Sequence, residues 1–518
     1  MTGSGWSEDR PLQTIARNVA TRYLSVAAEM ATGLVTLPFN LHHLGAEAYG
    51  LWMLTAGVTI HFSILDLGYG GAMVKFIAQY RAFKDARALN EIASTLFFLF
   101  AAFGVLAYLV TIGLAFNLEH VFRISHAQAE VGKWILLIIG VNVAINFPFS
   151  VYGGVTSGFQ RYDVNNMVAI LSNVLVAAVN VAVVLLGYGL IPLVAATSLV
   201  RFVTYFAYRR NAYRVYPALD IRPRLFRRNR LREVTGFSVY SSVIDWANKL
   251  NYELDELVIG VFMGAAPVAA WAVADRIISG TQRLTNQGNA VLFPVVVDAD
   301  ATRQVGRLQQ VMIEGTRLSL ATVLPIAVVL IVLAHPLVNA WVGVRMLVAA
   351  PVIQILAVAV ALRVGNATST TVLKGAGAVR RVAVVNIITG LVNLAMSAAL
   401  VRRLGLVGVA FGTVIPVAAA SIFVLFPDAC RRVDLPVLEA VRRSVWPAAW
   451  PAVVTGLALE ALQPYLTGGL LGIAVGSAFS AVLYVALFVI AVGRRDREQY
   501  TARLRELVGR KRTLVPAA

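Results

Sequence analysis

The sequence predicts an all-α polytopic membrane protein with about fourteen transmembrane helices. Hydrophobic residues make up 58% of the 518 residues and charged residues only 14%, and the mean hydropathy is +0.73. Apolar runs of about 20 residues recur along the chain, which is the length that a helix needs to cross ~30 Å of hydrocarbon at ~1.5 Å per residue. The alternation of polar and apolar residues that is typical of a transmembrane barrel is absent from the sequence.

The predicted spans follow one another with short loops between them, so we expect no separate soluble catalytic domain. The first apolar run contains Arg22 and Glu29 and lacks a signal-peptide pattern, so it should remain as the first spanning helix. The longest loop is the basic segment from about Tyr208 to Glu233. We place the spans at approximately 17–39, 48–72, 91–115, 134–156, 166–187, 189–208, 236–262, 267–293, 316–334, 348–372, 382–401, 405–427, 445–463 and 469–492.

The distribution of basic residues predicts the orientation of the chain. With a cytoplasmic N-terminus, 35 of the 45 Lys and Arg residues fall in cytoplasmic segments, five in the opposite loops and five within spans. Cytoplasmic loops of membrane proteins carry such an excess, so we expect both termini in the cytoplasm. This topology explains the net charge of +18 better than a nucleic-acid-binding module does. The basic tail from Arg494 to Arg512 is expected to lie on anionic lipid.

Three weak internal similarities predict a duplicated six-helix unit. The matched positions are 44–52 with 263–271, 189–191 with 405–407, and Asn173 and Asn180 with Asn386 and Asn393. Because six spans is an even number, the two copies would be parallel repeats, and transporters built from repeats bind substrate where the repeats meet. We therefore predict an N-terminal lobe with a basic linker at 1–232, a second lobe at 233–427, and two further spans with a basic tail at 428–518.

The seventh and eighth predicted spans carry charges inside apolar sequence. Asp245, Lys249 and Glu256 share one helical face of the seventh span, and Arg276 and Arg283 share one face of the eighth. Ionisable groups inside a membrane are costly and often mark functional sites. Two interpretations stay open, since these groups would either line a solvated cavity or form ion pairs between the two helices.

The ion-pair interpretation names its partners. Antiparallel alignment of the two spans would bring Glu253 level with Arg276, and Asp245 level with Arg283.

Five basic residues from four predicted spans are candidates for binding an anion such as a pyrophosphate, because guanidinium groups bind oxygens in pairs. They are Arg22, Lys249, Arg276, Arg283 and Arg363. Four acidic residues are candidates for carrying a coupling proton or cation. They are Asp245, Glu253, Asp255 and Glu256.

Other polar residues receive structural interpretations. Asn166, Asn173 and Asn180 recur every seven residues, which favours hydrogen bonds between helices. The single cysteine excludes an internal disulfide, and the six histidines are scattered without the spacing of a zinc site. We expect no metal, no catalytic residue and no cofactor other than a coupling proton or sodium ion.

Three segments carry a family resemblance. Residues 44–82 read LGAEAYGLWMLTAGVTIHFSILDLGYGGAMVKFIAQYRA, residues 251–277 read NYELDELVIGVFMGAAPVAAWAVADRI, and residues 158–163 read GFQRYD. They resemble bacterial polysaccharide flippases, which handle O-antigen and exopolysaccharide, in the multidrug/oligosaccharidyl-lipid/polysaccharide exporter superfamily. This resemblance implies movement of an undecaprenyl-pyrophosphate-linked oligosaccharide from the cytoplasmic to the periplasmic leaflet of the bacterial inner membrane. Two six-helix lobes would alternate access to it.

The resemblance implies partners and leaves rivals open. Expected partners are the lipid-linked oligosaccharide, membrane lipids and polysaccharide assembly proteins, and no nucleic acid. Relatives often carry a basic residue after the position of Asp255, where Glu256 stands here, and such an acidic pair could bind a coupling cation. A cation-coupled multidrug exporter of the same superfamily is one rival. A glycan polymerase or ligase is another, although the outer loops are too short for its catalytic residues.

Overall fold

The computed structural model describes residues 11–66, 68–235, 254–285, 289–466 and 469–492. In these ranges the regular secondary structure is entirely helical. Ten of the helices in the described ranges are long and apolar enough to cross a membrane. The predicted class, an all-α protein with many membrane-spanning helices, is therefore confirmed.

The described chain forms two compact units. The first contains the residues up to Arg276 together with Asn386–Gly412, and the second contains Ile277–Val385 and the residues from Thr413 onward. The predicted lobe boundaries at 232/233 and 427/428 describe a different partition, and they stay a prediction.

The helices up to residue 285 are named in chain order. They are α1 Pro11–Ile60, α2 Tyr69–Ala82, α3 Ala86–Phe116, α4 Leu118–Val121, α5 His126–Gly158, α6 Tyr162–Leu185, α7 Leu190–Val215, α8 Asp255–Met263 and α9 Ala265–Thr285. All of α1 to α8 and the first half of α9 belong to the first unit.

The later helices belong mainly to the second unit. They are α10 Asn289–Ala301, α11 Val305–Val332, α12 Ala334–Val342, α13 Ala349–Gly375, α14 Val379–Ala419, α15 Phe426–Arg432, α16 Val437–Ala440, α17 Trp446–Leu462 and α18 Leu470–Ala491. Residues 386–412 of α14 belong to the first unit.

Two of the long helices each contain two predicted spans. Gly45 interrupts α1 at φ 80° and ψ 166°, and Gly405 interrupts α14 at φ 59° and ψ −138°. Glycine adopts such positive φ values without the clash of a Cβ atom, so these residues act as turns between spans. The ten long helices thus correspond to twelve predicted spans. The seventh span lies largely outside the described residues, and α9 corresponds to the eighth.

The second predicted span ends earlier than expected. It was predicted to reach residue 72, but α1 stops at Ile60 and α2 begins at Tyr69. Gly68 precedes α2 with φ 73°, and the Asp66 carboxylate accepts a hydrogen bond from the Gly70 amide at 3.0 Å. The glycine-rich segment is therefore a helix boundary, because Gly68 permits the left-handed turn.

The basic segment after α7 folds back onto α2 and α3 instead of forming an open loop. Glu91 of α3 is buried, and its carboxylate lies 3.2 Å from Nε of Arg87 and 3.2 Å from Nε of Arg230. The Tyr80 hydroxyl donates to Glu233 at 2.6 Å and accepts from Arg230 at 2.8 Å. Burial and the hydrogen bond to Glu233 raise the pKa of Tyr80 to about 12. We call residues 216–235 the strap.

The ion pair between Glu91 and the strap predicts that removing the Glu91 charge lowers the stability of the protein. Glu91→Gln should lower the stability of the detergent-purified protein by about 1–2 kcal/mol, since a buried carboxylate loses its charge-assisted bonds while its arginines keep access to water. The measurement is the apparent melting temperature. Glu119→Gln is the matched control, because Glu119 is 48% exposed and its ion pair in the described ranges is with the surface residue His126. Equal melting temperatures for the two variants would contradict the role of Glu91.

Candidate functional site

A cavity of about 570 Å³, lined by both polar and apolar side chains, lies inside the first unit, between α1, α5, α6 and α7. Small-molecule sites in proteins typically have volumes of about 300–1,000 Å³. The lining residues are Trp52, Ala56, Thr59, Ile139, Asn142, Val143, Asn146, Ala169, Ser172, Asn173, Val176, Val194, Thr197, Ser198, Arg201, Thr204, Tyr205 and Tyr208. Amides, hydroxyls and one guanidinium thus face a space within the membrane-spanning part of the chain.

Arg201 is the charged residue of this lining. It lies eleven positions after Leu190 in the 26-residue helix α7, which places it about 16 Å along the helix axis, near its middle. Its side chain is exposed, and it makes no hydrogen bond or ion pair within the part of the chain that the structure describes. A guanidinium at this depth needs water or a ligand to offset the cost of leaving water.

The cavity wall also presents hydrogen-bonding groups. Oδ1 of Asn142 is buried and has no hydrogen-bond partner among the described residues. The Tyr205 hydroxyl donates to the Asn142 backbone carbonyl at 3.2 Å, and the Thr204 hydroxyl donates to Ser172 at 3.0 Å. Buried polar atoms are normally paired, so the Asn142 oxygen is a hydrogen-bonding group that the described residues leave unsatisfied beside the cavity.

The asparagine stripe of α6 divides between two roles. Asn166 donates to Thr21 of α1 at 3.1 Å, which confirms the predicted hydrogen bond between helices at that position. Asn173, one heptad later, lines the cavity instead. The predicted role in hydrogen bonding between helices therefore holds for Asn166 and not for Asn173.

Sequence reasoning missed Arg201 because it was counted with the cytoplasmic basic segment. The signal was nevertheless present, since Arg201 lies seven residues inside the predicted span 189–208. Asn142 and Asn146 carried no comparable signal, because single amides in a long apolar run do not mark a face.

Two of the five predicted basic residues have a described place in the first unit. Nη2 of Arg276 donates to the backbone carbonyl of Glu29 at 3.1 Å, and its guanidinium lies against Gly33 of α1. Arg22 is an exposed residue earlier on α1. Arg22 is therefore part of α1, and Arg276 contacts α1 about two to three turns later.

The remaining basic candidates are not brought into this group. Arg283 is exposed and Arg363 is half-buried, and both belong to the second unit. Lys249 lies outside the described residues. The convergence of all five basic residues on one anion stays a prediction.

The acidic candidates are placed only in part. Asp255 is buried at the start of α8. The Glu256 carboxylate lies near Gly57, where a Cβ atom would be 2.7 Å from Oε2 of the glutamate. Asp245 and Glu253 lie outside the described residues, so the predicted ion pairs of Asp245 with Arg283 and of Glu253 with Arg276 stay predictions.

Substitutions at two glycines of α1 can distinguish an effect on the position of Arg276 from an effect on folding. An alanine Cβ at Gly33 would meet the guanidinium of Arg276, whereas one at Gly50 would meet the Ala265 backbone carbonyl. A flexible side chain can move aside and a helix backbone cannot, so Gly33→Ala should release Arg276 while leaving the melting temperature nearly unchanged. Gly50→Ala should destabilise by about 1–3 kcal/mol.

The measurement compares the apparent melting temperature of each variant with the transport activity that the family resemblance implies, assayed in cells at matched protein levels. Gly33→Ala is expected to impair transport and Gly50→Ala is expected to lower both quantities. A Gly33→Ala protein that melts as early as Gly50→Ala would show that the guanidinium cannot move.

Comparisons with known proteins agree on the family and the fold. A family profile described as "Polysaccharide biosynthesis protein" matches residues 44–351, which is more than half of the chain. The chain is 22% identical over 456 residues to "Probable flippase AglR" of Haloferax volcanii, covering 85% of this chain and 89% of that protein.

Solved structures share the fold. A structure titled "Lipid II flippase MurJ, inward closed conformation" aligns with a TM-score of 0.73 at 12% identity, over 91% of this chain and 98% of that one. An inward-facing multidrug resistance MATE family transporter of the MOP superfamily aligns with a TM-score of 0.64 at 19% identity, over 79% and 98%. At these identities the two matches speak for the fold alone.

Proposed function

This chain belongs to the polysaccharide biosynthesis protein family, and from that premise we propose that it flips an undecaprenyl-pyrophosphate-linked oligosaccharide across the bacterial inner membrane, from the cytoplasmic to the periplasmic leaflet. The name of the relative AglR, a probable flippase, supports transport of this kind. We also propose that both termini are cytoplasmic, as the distribution of basic residues predicts.

The observation that carries this proposal is the charge of the cavity. Arg201 is the one charged residue in its described lining, which contains amides and hydroxyls but no Asp or Glu. An organic cation held there would face a like charge with no counter-ion, which is unfavourable at low dielectric. Polyhydroxylated or anionic cargo suits the lining better, because amides, hydroxyls and a guanidinium are its natural hydrogen-bonding partners.

The proposed transport cycle divides the substrate by its chemistry. The polyprenyl chain stays in lipid, since exposing it to water would cost about 0.8 kcal/mol per CH₂ group. In this proposal the five basic candidates bind the pyrophosphate, and the four acidic candidates bind the coupling ion. The polar glycan passes through space screened from lipid while access alternates between the two sides. The enzymatic alternative receives no support from the relatives, which are named as flippases and transporters.

A multidrug exporter is the second candidate function. The fold similarity to a MATE family transporter favours it, and so does the adjacent acidic pair of Asp255 and Glu256. Depletion of the protein separates the two functions. Flipping predicts accumulation of lipid-linked glycan facing the cytoplasm, whereas drug export predicts unchanged glycan and increased retention of a cationic dye such as ethidium.

Neutralising Arg276 tests the assignment of the pyrophosphate. Arg276→Gln should reduce glycan export at normal protein levels by about tenfold or more, because a charge-assisted hydrogen bond to phosphate is worth about 1.5–3 kcal/mol. Export is measured as surface polysaccharide per unit of membrane-inserted protein. Arg402→Gln is the control, since Arg402 lies over the Phe262 ring in the same unit and is not a candidate site residue. Unchanged export in Arg276→Gln would remove Arg276 from the site.

A further inference from the structure

We propose that the cavity between α1, α5, α6 and α7 binds a monoanionic sugar residue, of the uronic acid type, with Arg201 holding its carboxylate. That the sugar belongs to a transported glycan rests on the proposed function. The binding site itself is argued from the lining of the cavity.

Charge balance selects a single negative charge. The described lining contains one guanidinium and no carboxylate, and Arg201 makes no ion pair with any described residue. A carboxylate can accept two parallel N–H bonds from a guanidinium, which would neutralise the charge of Arg201 within the membrane-spanning region. A neutral sugar would displace water from the exposed Arg201 side chain without supplying a counter-charge, and a multiply charged group would bring charge that one guanidinium cannot balance.

The rest of the lining fits a sugar ring. Amide groups of Asn142, Asn146 and Asn173 line the cavity, and amides offer both donors and acceptors. Hydroxyls of a sugar likewise donate and accept, so the two sets can satisfy each other. Trp52 adds an aromatic surface against which the C–H face of a sugar ring can pack.

The pyrophosphate is a poorer occupant of this cavity. It carries more than one negative charge, and a single guanidinium cannot balance it. It is also joined to a polyprenyl chain that must stay in lipid, whereas the cavity is enclosed by four helices of one unit and presents amides, hydroxyls and a guanidinium. The glycan end of the substrate is therefore the part that suits the cavity.

The test uses the full-length protein in nanodiscs and two disaccharides that differ by one carboxylate, cellobiouronate and cellobiose. Calorimetry should show that the protein binds cellobiouronate at least about tenfold more tightly than cellobiose, the ratio expected from one charge-assisted pair. Arg201→Gln should abolish this preference while leaving the affinity for cellobiose within about twofold. Arg201→Lys should keep part of the preference, because a lysine retains the charge without the paired geometry.

Arg210→Gln is the matched control. Arg210 is exposed on the same helix nine residues later, and it does not line the cavity. It should keep the full preference for cellobiouronate. A general loss of folding would instead reduce the binding of both disaccharides.

Three results would overturn the proposal. They are equal affinity of the unaltered protein for both disaccharides, a preference that survives Arg201→Gln, and tighter binding of inorganic pyrophosphate that depends on Arg201. The outcome is independent of the depletion experiment. Selective binding without accumulation of lipid-linked glycan would overturn the flippase proposal and keep the site, and accumulation without selective binding would do the reverse.

Discussion

A charged group inside the hydrocarbon region must be paired or hydrated, and this constraint governs the first unit. The structure shows three solutions to it. Near the start of α3, the Glu91 carboxylate forms ion pairs with Arg87 of α3 and Arg230 of the strap. Arg276 donates to a backbone carbonyl of α1 and lies against a glycine. Arg201 faces a cavity, where water or cargo can offset the cost of its charge. The Glu91 cluster is structural, Arg276 stays a candidate for binding the pyrophosphate, and the cavity beside Arg201 leaves a second candidate site.

Helix α1 connects these arrangements. Its Gly33 and Gly57 leave room for the side chains of Arg276 and Glu256, and its Trp52 forms part of the cavity wall. Gly45 divides these residues, so Gly33 belongs to the first span of α1 while Trp52 and Gly57 belong to the second. A shift of the second span would change the space beside Glu256 and the shape of the cavity together. Packed helices move as units because their interiors are dense.

The spans were predictable because the length of an apolar run is a local property, as the agreement of α3, α5, α6 and α7 with their predicted ranges shows. The strap was not, because the charges of a basic loop do not reveal that Glu233 will meet Tyr80, 153 residues away. Arg201 was missed for a related reason. Arg201 was assigned to the basic cytoplasmic segment when the orientation of the chain was predicted. Only the fold shows that a cavity lies beside it.

The two segments predicted to be copies of one another, 44–52 and 263–271, have similar turns and are followed by different charges. Gly45 and Gly264, the residues that align the two copies, share one unusual conformation, with φ 80° and ψ 166° in the first and φ 91° and ψ −170° in the second. Gly343 has the same conformation outside the alignment, so the agreement reflects a turn that favours glycine, and the repeat stays a prediction. In the same alignment Arg276 falls opposite Gly57, which lies near Glu256. The later predicted copy thus carries Glu256 and Arg276, and the earlier one carries Gly57 and Gly33, which leave room for these side chains. The turns at Gly45 and Gly264 are alike, whereas the charges differ between the two segments.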